Sequence, residues 1–224
     1  MKNAIFTYCN FQIDPRIKLY QHGVINKFVQ GTGIAFHPLE YKGKDGDMFP
    51  DDAIEFGINS LFYEQNYDAV LILDIDCIPL NTRALQHTFN KANQGTLIGN
   101  IQRSHYLENG EHLFIGSSCL ALSKNTYERL GKPSPKPNSR SDICEEWMYL
   151  AEEKSIPTEF YVPQSYEASP YLVENWALKD GFNPYGIGTT FMSQDGEAKF
   201  YHLFESRTNL NVERFITKCQ SVLA

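Results

Sequence analysis

The sequence predicts an α/β fold: a single Rossmann-type sandwich with a mixed, mainly parallel central sheet flanked by helices. Three observations carry this. Apolar, β-rich runs alternate with helical stripes in the order β-α-β-α-β over the first 79 residues, and that order implies right-handed crossovers between parallel strands. The run Ala69-Val70-Leu71-Ile72-Leu73 has no polar partner positions, as expected of a strand buried on both faces. No internal repeat or linker divides the 224 residues, enough chain for one full hydrophobic core.

In chain order, Asn3 to Tyr8 reads as a first strand. Ile17, Tyr20, Val24 and Phe28 recur at helical spacing, Gly31 and Gly33 end that helix, and Ile34 to Phe36 is a short strand. Tyr41 to Pro50 is polar and glycine-containing, hence a loop. Asp51 is placed as the cap of a helix with the stripe Ile54, Ile58, Leu61 and Phe62. The long strand from Ala69 follows. It ends in Asp74-Ile75-Asp76-Cys77-Ile78-Pro79, where spacing i, i+2 puts Asp74 and Asp76 on one side of a pleat.

Leu85, Phe89 and Ala92 mark the next helix, and Thr96 to Ile101 a strand. After a polar stretch from Arg103 to His112, Leu113 to Leu122 is a strand whose small residues Gly116, Ser117 and Ser118 let something approach its backbone. A short helix runs from Lys124 to Leu130, followed by a proline-rich loop, Lys132 to Asn138, whose composition permits mobility. A helix over 141–153 would carry Asp142, Glu145 and Glu146 on one face and Ile143, Trp147 and Leu150 on another. Pro157 to Val162 is a strand, 176–190 a glycine-rich loop including Tyr185-Gly186-Ile187-Gly188-Thr189, Lys199 to Phe204 a last strand, and Val212, Phe215, Ile216, Cys219 and Leu223 the stripe of a last helix.

Composition removes some function classes. A net charge of -7 argues against a general nucleic-acid binder, which needs a basic surface. Five scattered cysteines with no CxxC pair read as buried reduced thiols, not as a disulfide framework or zinc site. The first residues enter a strand at once, without a signal peptide, and no apolar run is long enough to span a membrane; the expectation is a cytoplasmic protein. Neither GxGxxG nor GxxxxGK[ST] is present.

Two carboxylates at the carboxyl end of a central strand sit where open α/β sheets bind ligands. They are hard donors suited to Mg²⁺ or Mn²⁺ that also holds phosphate oxygens, and close carboxylates repel one another unless a cation intervenes. The plainer reading is a pair of solvated loop acids. Tyr8 is equally a base-stacking ring or a core tyrosine. Trp147 and Trp176 are core or acceptor-platform residues, and His105 and His112 receive no role. A haloacid-dehalogenase-like phosphatase also ends a buried strand in Asp-x-Asp, with the first aspartate, here Asp74, as nucleophile. That motif belongs on a first strand, whereas here a β-α-β-α unit precedes it. A nucleotidyltransferase and a binding module with an inactive site are further alternatives.

The order of these pieces resembles the GT-A glycosyltransferases. The first strand with Thr7-Tyr8, the segment Leu71 to Pro79 with its DxD, the run from Phe114 to Gly131, and the run from Asp142 to Pro163 are each similar to a family segment in the same order. The resemblance implies one GT-A-like domain over 1–224, with about 1–101 holding a nucleotide-diphosphate sugar and about 102–224 an unknown glycan, lipid or protein acceptor. It implies Mn²⁺ or Mg²⁺ at Asp76 and Asp74, joined by His202 on a late strand, with Thr7, Tyr8, Asp74 and Arg207 on the donor. Asp142 is the first candidate for the base that takes the acceptor proton, then Glu145 or Glu146. The sequence departs from inverting relatives here. They often show adjacent Glu-Asp, where this chain has Ser141-Asp142 with Glu145-Glu146 three residues on. Tyr185 to Gly188 would serve as a lid.

Overall fold

The computed structural model describes residues 1–10, 13–41, 49–104, 112–167, 188–203 and 209–224. The strands are β1 (Asn3–Asn10), β2 (Ala35–Tyr41), β3 (Ala69–Asp74), β4 (Cys77–Pro79), β5 (Leu97–Arg103), β6 (Leu113–Ser123), β7 (Thr158–Glu167), β8 (Gly188–Met192) and β9 (Ala198–Leu203). The helices are α1 (Pro15–Val29), α2 (Pro50–Asn59), α3 (Thr82–Asn93), α4 (Lys124–Leu130), α5 (Glu145–Glu153) and α6 (Asn209–Leu223).

One mixed sheet runs β2-β1-β3-β6-β5-β7-β8-β9-β4. Pairing is parallel within β2-β1-β3 and between β5 and β7, as β-α-β crossovers require. Elsewhere it is antiparallel, so parallel pairs predominate only within β2-β1-β3. β3 stands third in that order and β4 last, yet only Ile75 and Asp76 separate them in the chain. The sheet therefore curls until its last strand returns to the end of β3. This closure governs the site.

Both faces of β3 are buried, which is why its sequence is apolar without alternation. Val70 and Ile72 pack with Phe6, Ile54, Ile58, Phe62 and Trp147 on one side. Leu71 and Leu73 pack with Ile5, Leu85 and Phe89 on the other. A third cluster joins Ile17 and Val24 of α1 to Phe215 and Cys219 of α6. All five cysteines are buried and free. Trp147 is fully buried and its Nε1 donates to the Ser134 carbonyl at 3.2 Å, so it belongs to the core.

Gly57 brings α2 against β1. A Cβ there would lie 2.3 Å from the Phe6 ring, which is itself buried. Alanine gains about 1 kcal/mol of helix propensity, but overpacking a rigid core costs about 1–3 kcal/mol. Gly57→Ala is expected to lower the melting temperature despite the better helix former; an increase would mean that Phe6 has room to move.

Several element boundaries differ from the sequence reading. α2 begins at Pro50, with Phe49 rather than Asp51 at the cap position and no side-chain cap; Asp51 lies inside the first turn, where it favours the helix dipole. Gly188 to Thr190 lie in β8, paired with β9, not in a loop. The proline-rich segment is pinned rather than loose. Tyr127 Oη donates to the Pro133 carbonyl at 3.3 Å and the Cys144 amide to the Pro135 carbonyl at 2.9 Å. Among the described residues, no helix is long and apolar enough to cross a membrane.

Candidate metal and nucleotide site

The strand β3 stops at Asp74, and Ile75-Asp76 form a turn before β4. The two acids are thus not on one pleat, as the i, i+2 spacing implied. They converge because the chain turns between them. β4 then pairs with β9 so that Cys77 faces His202, and the Leu203 amide donates to the Asp76 carbonyl at 3.0 Å. That pairing carries His202 to Asp76, with Nε2 3.2 Å from Oδ1. Ligand atoms of Asp74, Asp76 and His202 lie within 4.8 Å of one another. Asp76 and His202 are buried and Asp74 is partly buried.

Burial first, and the neighbouring Asp76 second, push the Asp74 carboxyl up to about 6; His202 and the Tyr8 hydroxyl pull it down. Tyr8 Oη donates to Asp74 Oδ1 at 2.5 Å, and the Tyr8 phenol is pushed up by burial and by Asp74. Tyr8 is buried, so its hydroxyl supports the carboxylate and its ring lies in the core. Two oxygen acids and an imidazole, gathered at a cost in like-charge repulsion, form a donor set that fits a divalent cation.

Gln21, absent from the sequence candidates, fixes the turn. It is fully buried, and its Nε2 donates to the carbonyls of Asp74 at 2.6 Å and Cys77 at 2.9 Å. Its Oε1 accepts from Thr7 Oγ1 at 3.1 Å. The signal was there: Gln21 interrupts the Ile17-Val24 stripe of α1, and a polar residue on a buried stripe must hydrogen-bond.

Thr7 also lines a cavity of about 450 Å³ with Cys9, Lys18, His22, Leu39 and Glu40. It opens at the carboxyl ends of the parallel strands β1 and β2, where Cys9 lies beside Glu40. Tyr8, between Thr7 and Cys9, is in register with Asp74. Successive residues of a strand face opposite sides of the sheet, so the cavity lies on the α1 side of β1 while Tyr8 and the Asp74 carboxylate lie on the other; Thr7 links the two through Gln21.

The three candidate acids of the 141–153 segment, Asp142, Glu145 and Glu146, have separate environments. α5 begins at Glu145, not at 141, because Cys144 takes a left-handed φ of 63° and breaks the helix before it. Asp142 thus precedes the helix, and the expected common face of Asp142, Glu145 and Glu146 does not form. Glu145 is fully buried; it accepts from Ser104 Oγ at 3.0 Å, His112 Nδ1 at 2.6 Å and the Asp142 amide at 2.7 Å. Glu146 is held by Arg140 and Asn138, and the Arg140 guanidinium keeps its carboxyl below the usual range. Asp142 is partly buried and accepts from the Ile143 amide at 2.7 Å, and Cys144 packs in the same core cluster as Tyr8. Arg207, His105, Trp176 and Tyr185 to Ile187 lie outside the described residues.

No sequence-family pattern matches this chain, and no curated protein sequence matches it. Solved structures with a similar fold include a Drosophila β1,4-galactosyltransferase 7 in complex with manganese, UDP-Gal and xylobiose, 13% identical, covering 92% of this chain and 73% of that one at TM-score 0.49. Another is a nucleotide-diphospho-sugar transferase from Desulfovibrio desulfuricans, assigned as such in name only, 9% identical, with 70% and 78% covered at TM-score 0.46. A third is a glucose-1-phosphate thymidylyltransferase from Bacillus anthracis, so named by assignment, 8% identical, with 98% and 95% covered at TM-score 0.43. At these scores the likeness is one of general architecture, and the functional reading rests on the strand order and the distances within the site. Glycosyltransferases stand among the proteins this chain resembles, and its Asp-Asp-His group is a candidate for a divalent metal.

Proposed function

We propose that this chain is a metal-dependent glycosyltransferase that moves a sugar from a nucleotide-diphosphate sugar to a hydroxyl acceptor. The observation that carries the reading is the convergence of Asp74, Asp76 and His202 within 4.8 Å at the end of β3. The donor set would face the diphosphate of that nucleotide.

A bound Mn²⁺ or Mg²⁺ would supply Lewis-acid stabilisation of the charge that builds on the leaving diphosphate. The protein's own part is to hold the donor set. Gln21 clamps the turn between the aspartates, Tyr8 orients Asp74, and the β4-β9 pairing presents His202. Asp142 is the proposed base. Its carboxylate would accept the proton of the acceptor hydroxyl as that oxygen bonds to the sugar and the nucleoside diphosphate leaves. Glu145 and Glu146 fit that role less well, since Glu145 is fully buried and the Arg140 guanidinium lowers the proton affinity of Glu146. Residues 1–101 form the proposed donor half and 102–224 the proposed acceptor half.

The test is release of nucleoside diphosphate from a panel of nucleotide sugars, with and without Mn²⁺. Asp76→Ala is expected to lower metal-dependent release by on the order of 100-fold or more. Asp142→Asn is expected to slow transfer by about 100-fold to 10,000-fold while nucleotide binding holds. Full activity of Asp76→Ala would sink the metal role, and unchanged turnover of Asp142→Asn would remove Asp142 as base.

A further inference from the structure

We propose that Gln21 and Thr7 set the metal affinity of the Asp74-Asp76-His202 group from outside it, as positioning residues joined in a one-way hydrogen-bond relay. This rests on the proposed function, in which that group holds the divalent ion, and it moves Thr7 from the donor nucleotide to the metal turn.

Two carboxylates on either side of Ile75 repel one another, so a free turn would let them part. Ordering them only when the ion arrives would subtract from its binding, so affinity depends on a turn that is already fixed. This turn is held at three carbonyls. The Leu203 amide donates to that of Asp76 at 3.0 Å, and Gln21 Nε2 donates to those of Asp74 at 2.6 Å and Cys77 at 2.9 Å. One amide nitrogen therefore binds the residue that opens the turn and the residue that closes it, and fixes the distance between them. The Asp74 carboxylate has its own support from Tyr8 Oη at 2.5 Å. The clamp thus acts chiefly on Asp76, which is carried between the two clamped carbonyls.

The direction of the relay follows from the groups involved. Both partners of Gln21 Nε2 are carbonyl oxygens, which only accept, so the amino end of the amide faces them and Oε1 points the other way. Oε1 also only accepts, so the Thr7 hydroxyl, 3.1 Å away, is the donor. The Thr7 proton is thereby committed to Gln21. Thr7 is 1% exposed and Gln21 fully buried, so both act through the turn rather than by meeting a ligand. Thr7 stands on β1 in register with Leu73, one residue before the end of β3. The relay runs from the first strand, through α1, to the end of the third. Gln21 also takes a place among Ile17, Val24 and Ile25 on the buried side of α1, where an apolar side chain would pack but leave two carbonyls without a donor.

The plainer account is that Gln21 satisfies two buried carbonyls and stabilises the fold without changing metal affinity. Titration of the whole chain with Mn²⁺, followed by the paramagnetic resonance signal of the free ion at temperatures well below each variant's melting, separates the two. Global destabilisation leaves the affinity of the folded state unchanged, whereas displaced ligands lower it. Gln21→Met keeps the length and removes both polar ends. It should weaken Mn²⁺ binding by about 10-fold to 100-fold, the range for removing a group that orients metal ligands. Thr7→Val removes only the donor and should weaken binding by about 2-fold to 10-fold, the worth of one hydrogen bond. Thr7→Ser restores the hydroxyl and should regain the parent affinity. Parent affinity in Gln21→Met overturns the proposal and leaves Gln21 a structural residue. If that variant does not fold, the Thr7 pair decides alone. Parent affinity in Thr7→Val, or a loss in Thr7→Ser as large as in Thr7→Val, overturns the relay. No Mn²⁺ binding by the parent is a different failure, which removes the metal site of the proposed function and this inference with it.

Discussion

Glu145→Ala is expected to destabilise the protein by about 3–5 kcal/mol, the range for removing one partner of a buried polar or charged cluster. The side chain is fully buried and takes three hydrogen bonds. Its loss leaves the His112 Nδ1 and the Asp142 amide facing a void. Total stabilities are about 5–15 kcal/mol, so this is a large fraction. With about 2–4 °C per kcal/mol for a chain of this size, the melting temperature should fall by roughly 6–20 °C. Glu145→Gln keeps the shape and one acceptor and should lose much less. If Glu145→Gln instead holds its melting temperature but abolishes turnover, the carboxylate is itself the base and Asp142 is not.

Asp74→Asn should act in the opposite direction. In the metal-free protein the Asp74 carboxyl, ordinarily at 3.8, is pushed up to about 6 by burial and by Asp76. A raised carboxyl means that the folded state disfavours its ionised form. The stability it contributes is fully present below about 4 and is lost as pH rises through about 6. Near neutral pH the ionised group therefore costs on the order of 2–3 kcal/mol. Asparagine removes the charge and still accepts from Tyr8. The metal-free variant should melt about 4–12 °C higher than the parent near pH 7.5, the difference shrinking toward pH 5, and Mn²⁺ should no longer stabilise it. A lower melting temperature with Mn²⁺ stabilisation intact would show that Asp74 is a structural acid.

These two carboxylates also show what the sequence disclosed. Asp74 was legible because it ends an apolar run without alternation, a pattern with few physical explanations other than a central buried strand. The helical stripes of α1, α3 and α6 were legible for the same reason. Local propensity did not reveal how Asp74 and Asp76 meet. A pleat was expected, but a turn does it, and the turn is enforced by β4 pairing with β9 some 120 residues later. The environment of Glu145 was equally hidden. Its spacing from Asp142 fits a helix, yet Ser104, just after β5, and His112, just before β6, draw its carboxylate inward, and the chain pivots at Cys144 to allow it.

The central claim is that Asp74, Asp76 and His202 hold one divalent ion. Electron paramagnetic resonance titration of Mn²⁺ into the whole chain tests it directly. The account predicts one tight Mn²⁺ per chain with nitrogen coupling from the imidazole, the coupling absent in His202→Ala and the tight site absent in Asp76→Ala. Tight Mn²⁺ binding that survives both substitutions, or no binding by the parent with nucleoside diphosphate present, would contradict it.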